Sequence, residues 1–553
     1  MDLRANRPSA RERDPTLRRF CIGQCGTTAM PSCEHNVAAF DDIPLDGMLG
    51  VKVGDESVLL TRDRAAVYAV GGTCPHAGGK LAEGVRDNDR VICPWHKASF
   101  CLRTGALLDP PAMDALPRFA TRVAQGRVFV SMSATKSGEP PSASDSRCFV
   151  IVGAGAAGAS AAQALRETGF GGRILMLDCE NRVPYDRTIL SKYFLSGQSG
   201  GEKSPLQTQE WYRRHGIERR TAIVVGVDPT ARLITCADGS VVTYDAALLA
   251  VGGEPRRPPI PGADRRNVFL LRSRADADAI LAQAERSRRA VILGSSFIGM
   301  EVAASLRERG LEVTVVGMES VPFERTLGAS VGRAWQKLHE RRGVTFRTSA
   351  KVTAFDGEAD LNGVTLDTGE QIPADLALVG LGVKPATDAI SGLPCNDDGS
   401  VSVDAQLRVA DALYAAGDIA RFPYRGDGPA IRVEHWRVAQ QHGRTAALAM
   451  MGKPVRYDAV PVFWTIQYMK RLDYIGHAAE WDEIVLHGDP EKPELLAYYV
   501  KNGVVAAAAG LGRDRDTSAL LALMSIRRDW TAEALGASPA AVLGGARALP
   551  GIV

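Results

Sequence analysis

The sequence predicts a multi-domain protein: a small antiparallel β domain, then two intertwined α/β units, then a C-terminal α+β domain. Three observations carry that prediction. Before residue 135, short strand-like runs such as Gly50–Leu60 and Arg127–Met132 are broken by Gly, Asp and Asn, as in antiparallel β domains. After residue 147, apolar runs of about five residues alternate with helical segments, the pattern of βαβ units. Between the two, Thr135–Arg147 (TKSGEPPSASDSR) has Pro, Ser and Gly but no apolar period, and reads as a linker. The divisions drawn from these shifts are a flexible tail over 1–35, the β domain over 36–134, the linker over 135–147, a first α/β unit over 148–270 and 386–455, a second unit inserted at 271–385, and a C-terminal domain over 456–553. Within the last, Ala497–Ala507 predicts a hairpin turning at Asn502-Gly503. A helix over Thr517–Ile526 follows, with Asp516 placed to cap it.

Bulk properties exclude several classes. The chain has 553 residues, 45% hydrophobic and 24% charged, an ordinary globular balance. A formal net charge of +2 gives no basic field for nucleic acid. No apolar run reaches the 18 or so residues a membrane span needs. The first nineteen residues hold six arginines and three acids without a secretory apolar core, so a flexible tail and a cytoplasmic location are expected. Ten cysteines are scattered along the chain, which favours metal ligation or free thiols over a disulfide framework. Cys21, Cys25 and Cys33 form a loose cluster near His35 and are read as free thiols in the tail.

The sharpest motif is Cys74-Pro75-His76, sixteen residues, then Cys93-Pro94-Trp95-His96. It supplies two thiolates and two imidazoles. A tetrahedral zinc site can use that set. A [2Fe–2S] cluster of Rieske type uses it too, with the cysteines on one iron and the histidines on the other. Gly78 and Gly79 permit tight loops close to sulfur. The segments CPHAGGKL and CPWHKASF resemble the Rieske family over roughly residues 36–133. The resemblance implies that Cys74, His76, Cys93 and His96 ligate the cluster. It also exposes departures. Where high-potential members carry a disulfide, this chain has Gly79 and Trp95, and where they carry a serine donor to a bridging sulfide it has Ala98. Fewer donors to sulfur imply a potential toward the low end of the roughly −150 to +300 mV Rieske range.

Two nucleotide motifs follow. Strand Cys148–Val152 runs into Gly153-Ala154-Gly155-Ala156-Ala157-Gly158 and then a helix. In a dinucleotide fold Gly153 makes the turn, Gly155 admits a pyrophosphate to the backbone, and Gly158 allows close helix packing. The helix N-terminus then faces the phosphates. Asp178 and Glu180 flank the end of the next strand; one of them, by resemblance Glu180, is expected to bind ribose hydroxyls. A second unit begins at Val291, with Gly294, Ser296 and Gly299 as its loop positions and serine in place of the middle glycine. Its second strand ends at Gly317, where an acid is usual; Glu319, two residues on, is the candidate substitute. No arginine follows directly, so NADH is weakly favoured over NADPH. Ala416-Gly417-Asp418 resembles a late FAD motif, which implies FAD in the first unit and NAD(P)H in the second.

From Cys148 onward the chain resembles the ferredoxin-reductase and apoptosis-inducing-factor group. The resemblance is carried by Pro184–Lys192 (PYDRTILSK), Gly294–Ala304, Pro322–Gly328, Val379–Pro385, Ala415–Pro423, Glu434–Gly443 and Pro461–Thr465 (PVFWT). With the β domain in front, the whole chain looks like the members of that group that have an N-terminal Rieske domain. The resemblance implies that Arg187 and Lys192 contact FAD, that Lys192 pairs with Glu301 beside the flavin as the catalytic pair, that Trp436 lies on the flavin's pyrimidine side, and that Gly380 and Gly382 admit the nicotinamide nucleotide. Ala250-Val251-Gly252 stands where the group has Ala-Thr-Gly. The Cys-x4-Cys pair of disulfide reductases is missing, so electrons leaving the flavin have no dithiol relay.

The function expected is an FAD-dependent NAD(P)H oxidoreductase. Its electrons would pass through the Rieske cluster to an external acceptor: a ferredoxin, a cytochrome or an oxygenase component. The linker would let the Rieske domain dock and undock. The alternative is an NADH-responsive signalling protein with little turnover. The C-terminal domain is expected to support the flavin and a homodimer interface.

Overall fold

The computed structural model describes residues 34–135, 145–198, 205–490, 492 and 494–546. Residues 1–33 of the expected tail, with its three cysteines, and most of the expected linker lie outside those residues; Glu34 and His35, expected in the tail, instead belong to the first strand.

The N-terminal domain is two antiparallel sheets. Its first strand begins at Glu34 and pairs with Arg127–Thr135. Six strands make the larger sheet; the smaller has four, Val85–Asp87, Arg90–Ile92, Ser99–Cys101 and Leu107–Asp109. The single run expected over Gly50–Leu60 is a hairpin, Met48–Val53 and Glu56–Arg62, turned at Gly54 with φ +62°. The motif loops flank the small sheet: Thr73–Lys80 precedes it, and residues 93–98 join its second and third strands.

The first α/β unit has the strand order Ile217–Thr221, Arg173–Asp178, Cys148–Val152, Ala246–Leu249, Leu413–Ala415, Arg408–Ala410, parallel but for the last. Its fifth strand comes from beyond residue 400, so the second unit is an insertion. Helix α1 (Ala156–Glu167) packs on α4 (Trp436–Met450) through small residues; a Cβ on Gly443 would sit 2.0 Å from the Ala157 carbonyl oxygen, which excludes any side chain there. The second unit is a five-stranded parallel sheet, Val268–Phe269, Leu376–Val379, Arg289–Leu293, Glu312–Val316, Val344–Arg347, flanked by α2 (Phe297–Glu308) and α3 (Glu324–Glu340).

The C-terminal domain is a five-stranded antiparallel sheet covered by α5 (Asp514–Ile526). The expected hairpin is there, Leu495–Lys501 with Val504–Leu511, and its turn has Asn502 at φ +51° and Gly503 at φ +76°. That pair of positive angles matches the right-handed twist of the flanking strands. Asp516 is a correction. Helix α5 starts at Asp514, so Asp516 lies inside its first turn; its carboxylate pairs with Arg513 at 2.8 Å and accepts from Ser538 Oγ and the Ala540 amide. Those partners draw it away from a capping role.

The N-terminal domain is seated against both other regions. Arg437 of α4, 1% exposed, donates to the Pro110 carbonyl (2.9 Å) and the Lys97 carbonyl (3.4 Å). Gln441 reaches Asp109, and Gln163 of α1 reaches the Met113 carbonyl. From the C-terminal domain, Asp473 pairs with Lys97 at 2.7 Å, Arg471 donates to the Pro94 carbonyl and Ser518 to the Cys93 carbonyl. Val85 and Ile92 share a core with Leu520 and Leu523 of α5. The sequence suggested a domain that docks and undocks; the structure describes the docked arrangement, held by fully buried charge.

Candidate functional site

The four expected cluster ligands converge as two pairs. His76 Nδ1 and His96 Nδ1 are 3.1 Å apart, their rings edge to face. The Cys74 and Cys93 thiols lie within hydrogen-bond reach of each other. Each sulfur also has two backbone amides near it, those of His76 and Ala77 at Cys74 and those of Trp95 and His96 at Cys93. Sulfur facing four amide donors is the environment of a thiolate and of bridging sulfide, not of an inert core thiol. The hydrogen bond from Cys74, together with those amides, pulls the Cys93 thiol down to about 6; its partner is pushed up because the two cannot both ionise freely. Among the described residues no three His, Cys, Asp or Glu side chains gather about one point. Paired ligands, nitrogen with nitrogen and sulfur with sulfur, suit two irons and not one zinc.

The loops are built for this. Cys74 N donates to the Gly79 carbonyl and Cys93 N to the Ala98 carbonyl, closing each loop on itself. A Cβ on Gly79 would lie 3.0 Å from Cys93 Sγ, so this position has little room for a side chain. The second loop is buried: Cys93 at 1%, His96 at 7% and Lys97 at 0% exposure.

At the first glycine loop, Gly153 has φ +98°, and a Cβ on Gly158 would meet the Gly153 carbonyl at 1.9 Å. Around Gly155 nothing comes within 4 Å of a built Cβ, which leaves space at the helix N-terminus. A cavity of about 160 Å³ adjoins it, lined by Ala154, Asp178, Glu180, Gln209, Arg219 and Thr221. Asp178 accepts from the Ala154 amide at 3.3 Å, and burial pushes its carboxyl up. Glu180 pairs with Arg187 at 2.5 Å and accepts from Tyr185. Gly417 has φ +76° and its amide donates to His442 Nδ1; the neighbouring Asp418 pairs with Arg272 at 2.9 Å. Trp436 opens α4, half-buried against the core of the first α/β unit.

The second glycine loop uses its serine. Ser296 caps α2, accepting from Gly299 N (3.2 Å) while its hydroxyl donates to the Gly380 carbonyl (2.8 Å). Gly294 has φ +103°. Gly380 is tight against Gly299 and Ser296, whereas Gly382, φ +80°, faces open space. A Cβ on Gly317 would come 2.8 Å from Ser295 Oγ, so the glycine lets the strand end close on the loop. Glu319 pairs with Arg325 at 2.6 Å and accepts the Glu324 amide at the start of α3. Ile298, Met318 and Leu381 stand exposed about this loop.

Lys192 and Glu301 do meet. Lys192 lies in a single π-helical turn, Leu190–Phe194, and its Nζ is 2.9 Å from Glu301 Oε2, both side chains under 10% exposed. Glu301, from α2, also accepts from Ser191 Oγ (2.5 Å) and Thr465 Oγ1 (2.7 Å). Behind it Gln467 donates to Thr465, and His339 donates to Gln467. Every donor in this buried chain points toward Glu301, which keeps the carboxylate satisfied without water. Glu301 thus ties together the first α/β unit, the inserted unit and the C-terminal sheet.

Sequence reading missed Trp464, Asp186, Lys97 and Asp473. The Trp464 indole lies 4.6 Å from the His96 ring and 6.2 Å from His76. Asp186 Oδ2 is 3.9 Å from His76 Nε2. Both sit inside segments quoted for their resemblance, and a strand's alternation already put Trp464 opposite Thr465.

Comparison with known proteins agrees. Residues 33–120 match the Rieske [2Fe–2S] domain, 148–443 the pyridine nucleotide-disulphide oxidoreductase family, and 462–543 the reductase C-terminal domain. Human "Apoptosis-inducing factor 3" is 34% identical over 532 residues, covering 92% of this chain and 87% of its own. The "biphenyl dioxygenase system ferredoxin–NAD(+) reductase component" of Paraburkholderia xenovorans (strain LB400) is 33% identical over 70% of this chain and 95% of its own. Among solved structures, a chain of the covalent putidaredoxin reductase–putidaredoxin complex superposes with a TM-score of 0.69 at 27% identity, over 73% of this chain and all of that one. With two nucleotide loops, a cluster cradle and no Cys-x4-Cys pair in its sequence, this chain belongs to the pyridine nucleotide-disulphide oxidoreductase family, as an FAD- and NAD(P)H-dependent oxidoreductase of the apoptosis-inducing-factor and ferredoxin-reductase type bearing an N-terminal Rieske [2Fe–2S] domain.

Proposed function

We propose that the chain oxidises NADH in preference to NADPH and delivers electrons singly, through its own docked Rieske domain, to an external one-electron carrier of the ferredoxin or cytochrome kind or to an oxygenase component. One observation carries the relay. In the strand Val462–Gln467, Trp464 faces the cluster ligands while its neighbour Thr465 holds Glu301, the partner of Lys192. Adjacent residues of one strand point to opposite faces, so a single strand separates and joins the flavin-side pair and the cluster cradle. The relatives named as ferredoxin reductases support an external carrier.

Bound FAD supplies acceptance of an electron pair and its release in single steps, for which the [2Fe–2S] cluster is a one-electron partner. The residues of the chain do the rest. Gly153, Gly155 and Gly158 would admit the FAD pyrophosphate, Glu180 or else Asp178 would take the ribose, Asp418 and Gly417 the ribitol, and Arg187 and Trp436 the flavin. The Lys192 ammonium stabilises negative charge on the reduced ring system, and Glu301 fixes where that ammonium stands. Gly294, Ser296, Gly299, Gly380 and Gly382 shape the second loop for the nicotinamide nucleotide. Absence of an arginine directly after Gly317 favours NADH.

Stopped-flow mixing with NADH tests the relay. Flavin absorption bleaches first, and the cluster's absorption and EPR signal follow in the same molecule. A cluster that stays oxidised beside a reduced flavin rejects it.

A further inference from the structure

The two ligand histidines have different outer neighbours. The Nδ1 atoms of His76 and His96 turn toward each other, which leaves the Nε2 atoms facing outward. His96 packs on the Trp464 indole. His76 instead presents Nε2 to Asp186 Oδ2, at 3.9 Å, with both side chains about one-sixth exposed. Asp186 is not a loose surface acid. Its other oxygen, Oδ1, accepts from the Thr188 amide at 2.8 Å and caps the turn Arg187–Ile189, so the carboxylate is held in place by the backbone that also presents Lys192.

We propose that Asp186 is a positioning residue for the cluster: through His76 it makes the docked Rieske centre a stronger reductant than the same domain would be alone. The inference rests on the electron-relay reading above. A carboxylate facing the outer nitrogen of a metal-bound imidazole orients the ring and raises its basicity toward the metal. Its negative charge also opposes the extra electron of the reduced cluster. Both effects stabilise the oxidised form and lower the potential. Asp186 belongs to the flavin unit, not to the Rieske domain. The effect therefore exists only while the two are docked, and the electron that arrives by way of the Trp464 side sits on a centre poised to give it away.

Potentiometric EPR titration of the full-length holoprotein tests this. Asp186→Asn keeps the cap, because asparagine caps as well as aspartate, and removes only the charge. Its cluster potential should shift positive, with flavin content and cluster content unchanged. Asp186→Glu retains the charge and should stay close to the parent. Asp473→Ala, which weakens docking by removing the partner of Lys97, should shift positive as well, and adding Asp186→Asn to it should shift the potential little further. An Asp186→Asn potential equal to or below the parent's overturns the proposal, as does a shift in Asp186→Glu as large as that in Asp186→Asn. A preparation with no cluster signal in any variant, parent included, would instead remove the relay reading, and this proposal with it.

Discussion

Lys97 Nζ lies 2.7 Å from Asp473 Oδ2, both side chains no more than 3% exposed, and the pair joins the residue after a cluster ligand to the C-terminal sheet. Lys97 holds this position at φ +63°, a region lysine seldom adopts, and Nζ also donates to the Pro94 carbonyl at 2.5 Å. Arg471 lies 3.2 Å from the other carboxylate oxygen of Asp473. Two charges taken out of water are stabilising only as a set; removing one leaves the other uncompensated at a cost of about 3–5 kcal/mol. Asp473→Ala should therefore lower unfolding stability by that amount and loosen the Rieske domain first. Lys97→Met, combined with Asp473→Ala, should recover most of the loss. Chemical denaturation followed separately by flavin and cluster absorption checks both; additive single effects would mean that the pair is not a coupled unit.

Glu301 is the second such pivot. Its carboxylate takes three donors from two other regions of the chain, Lys192 and Ser191 of the first α/β unit and Thr465 of the C-terminal sheet. Glu301→Gln keeps the shape but frees the Lys192 ammonium from its counter-charge. A positive charge with no local partner favours the reduced, more negative flavin, so the flavin midpoint potential should rise in a spectroelectrochemical titration. If stability drops while the potential stays put, the pair is a structural bridge between domains and no more.

The parts of the site that a single segment can build were legible in the sequence. The two cluster loops and the first glycine loop are local: residue type and spacing within a dozen positions set their geometry. The pairing of Lys192 with Glu301 was reached only through resemblance, since they stand 109 positions apart in the sequence. What stayed illegible lies between domains. Trp464 and His96, Asp186 and His76, Asp473 and Lys97 are brought together by how the Rieske domain seats, and no periodicity in either partner encodes that. Asp516 shows the limit of local rules even within one domain. Aspartate before a helical run predicts a cap, yet Arg513 on the same turn claims the carboxylate, and the helix starts at Asp514 instead.

Three buried histidines set the acid limit. Burial lowers His339 to about 4, and His435 and His442 to about 3. In the unfolded chain they titrate near the ordinary value of about 6.5. A folded value below the unfolded one means that the contribution is intact above pH about 6.5 and is lost as the pH falls toward about 4 for His339 and about 3 for His435 and His442. Each histidine adds about 1.4 kcal/mol per pH unit once the unfolded state binds its proton and the native state does not. Near pH 5 the three together give a slope of about 4 kcal/mol per unit. His339→Gln should reduce that slope by about one third in urea unfolding between pH 5 and 7. Because His442 also accepts the Gly417 amide, flavin loss should accompany acid unfolding and not precede it.

Ala98 is the position inside the Rieske domain where a side-chain donor to sulfur is missing. It is fully buried beside the second ligand loop, its carbonyl accepting the Cys93 amide. It brings no hydroxyl to the sulfur, and Gly79 and Trp95 stand where a bridging disulfide would bring rigidity and polarity. The cluster is therefore expected in the lower half of the roughly −150 to +300 mV Rieske range. Ala98→Ser adds one donor close to sulfur and should move the potential upward, because donors favour the more negative reduced cluster. Asp186→Asn acts on the imidazole side and Ala98→Ser on the sulfur side, with no shared partner, so the two shifts should add in the double variant. Redox titration monitored by EPR reads all three. A parent potential in the upper half of the range would show that the backbone amides around Cys74 and Cys93 already outweigh the missing hydroxyl.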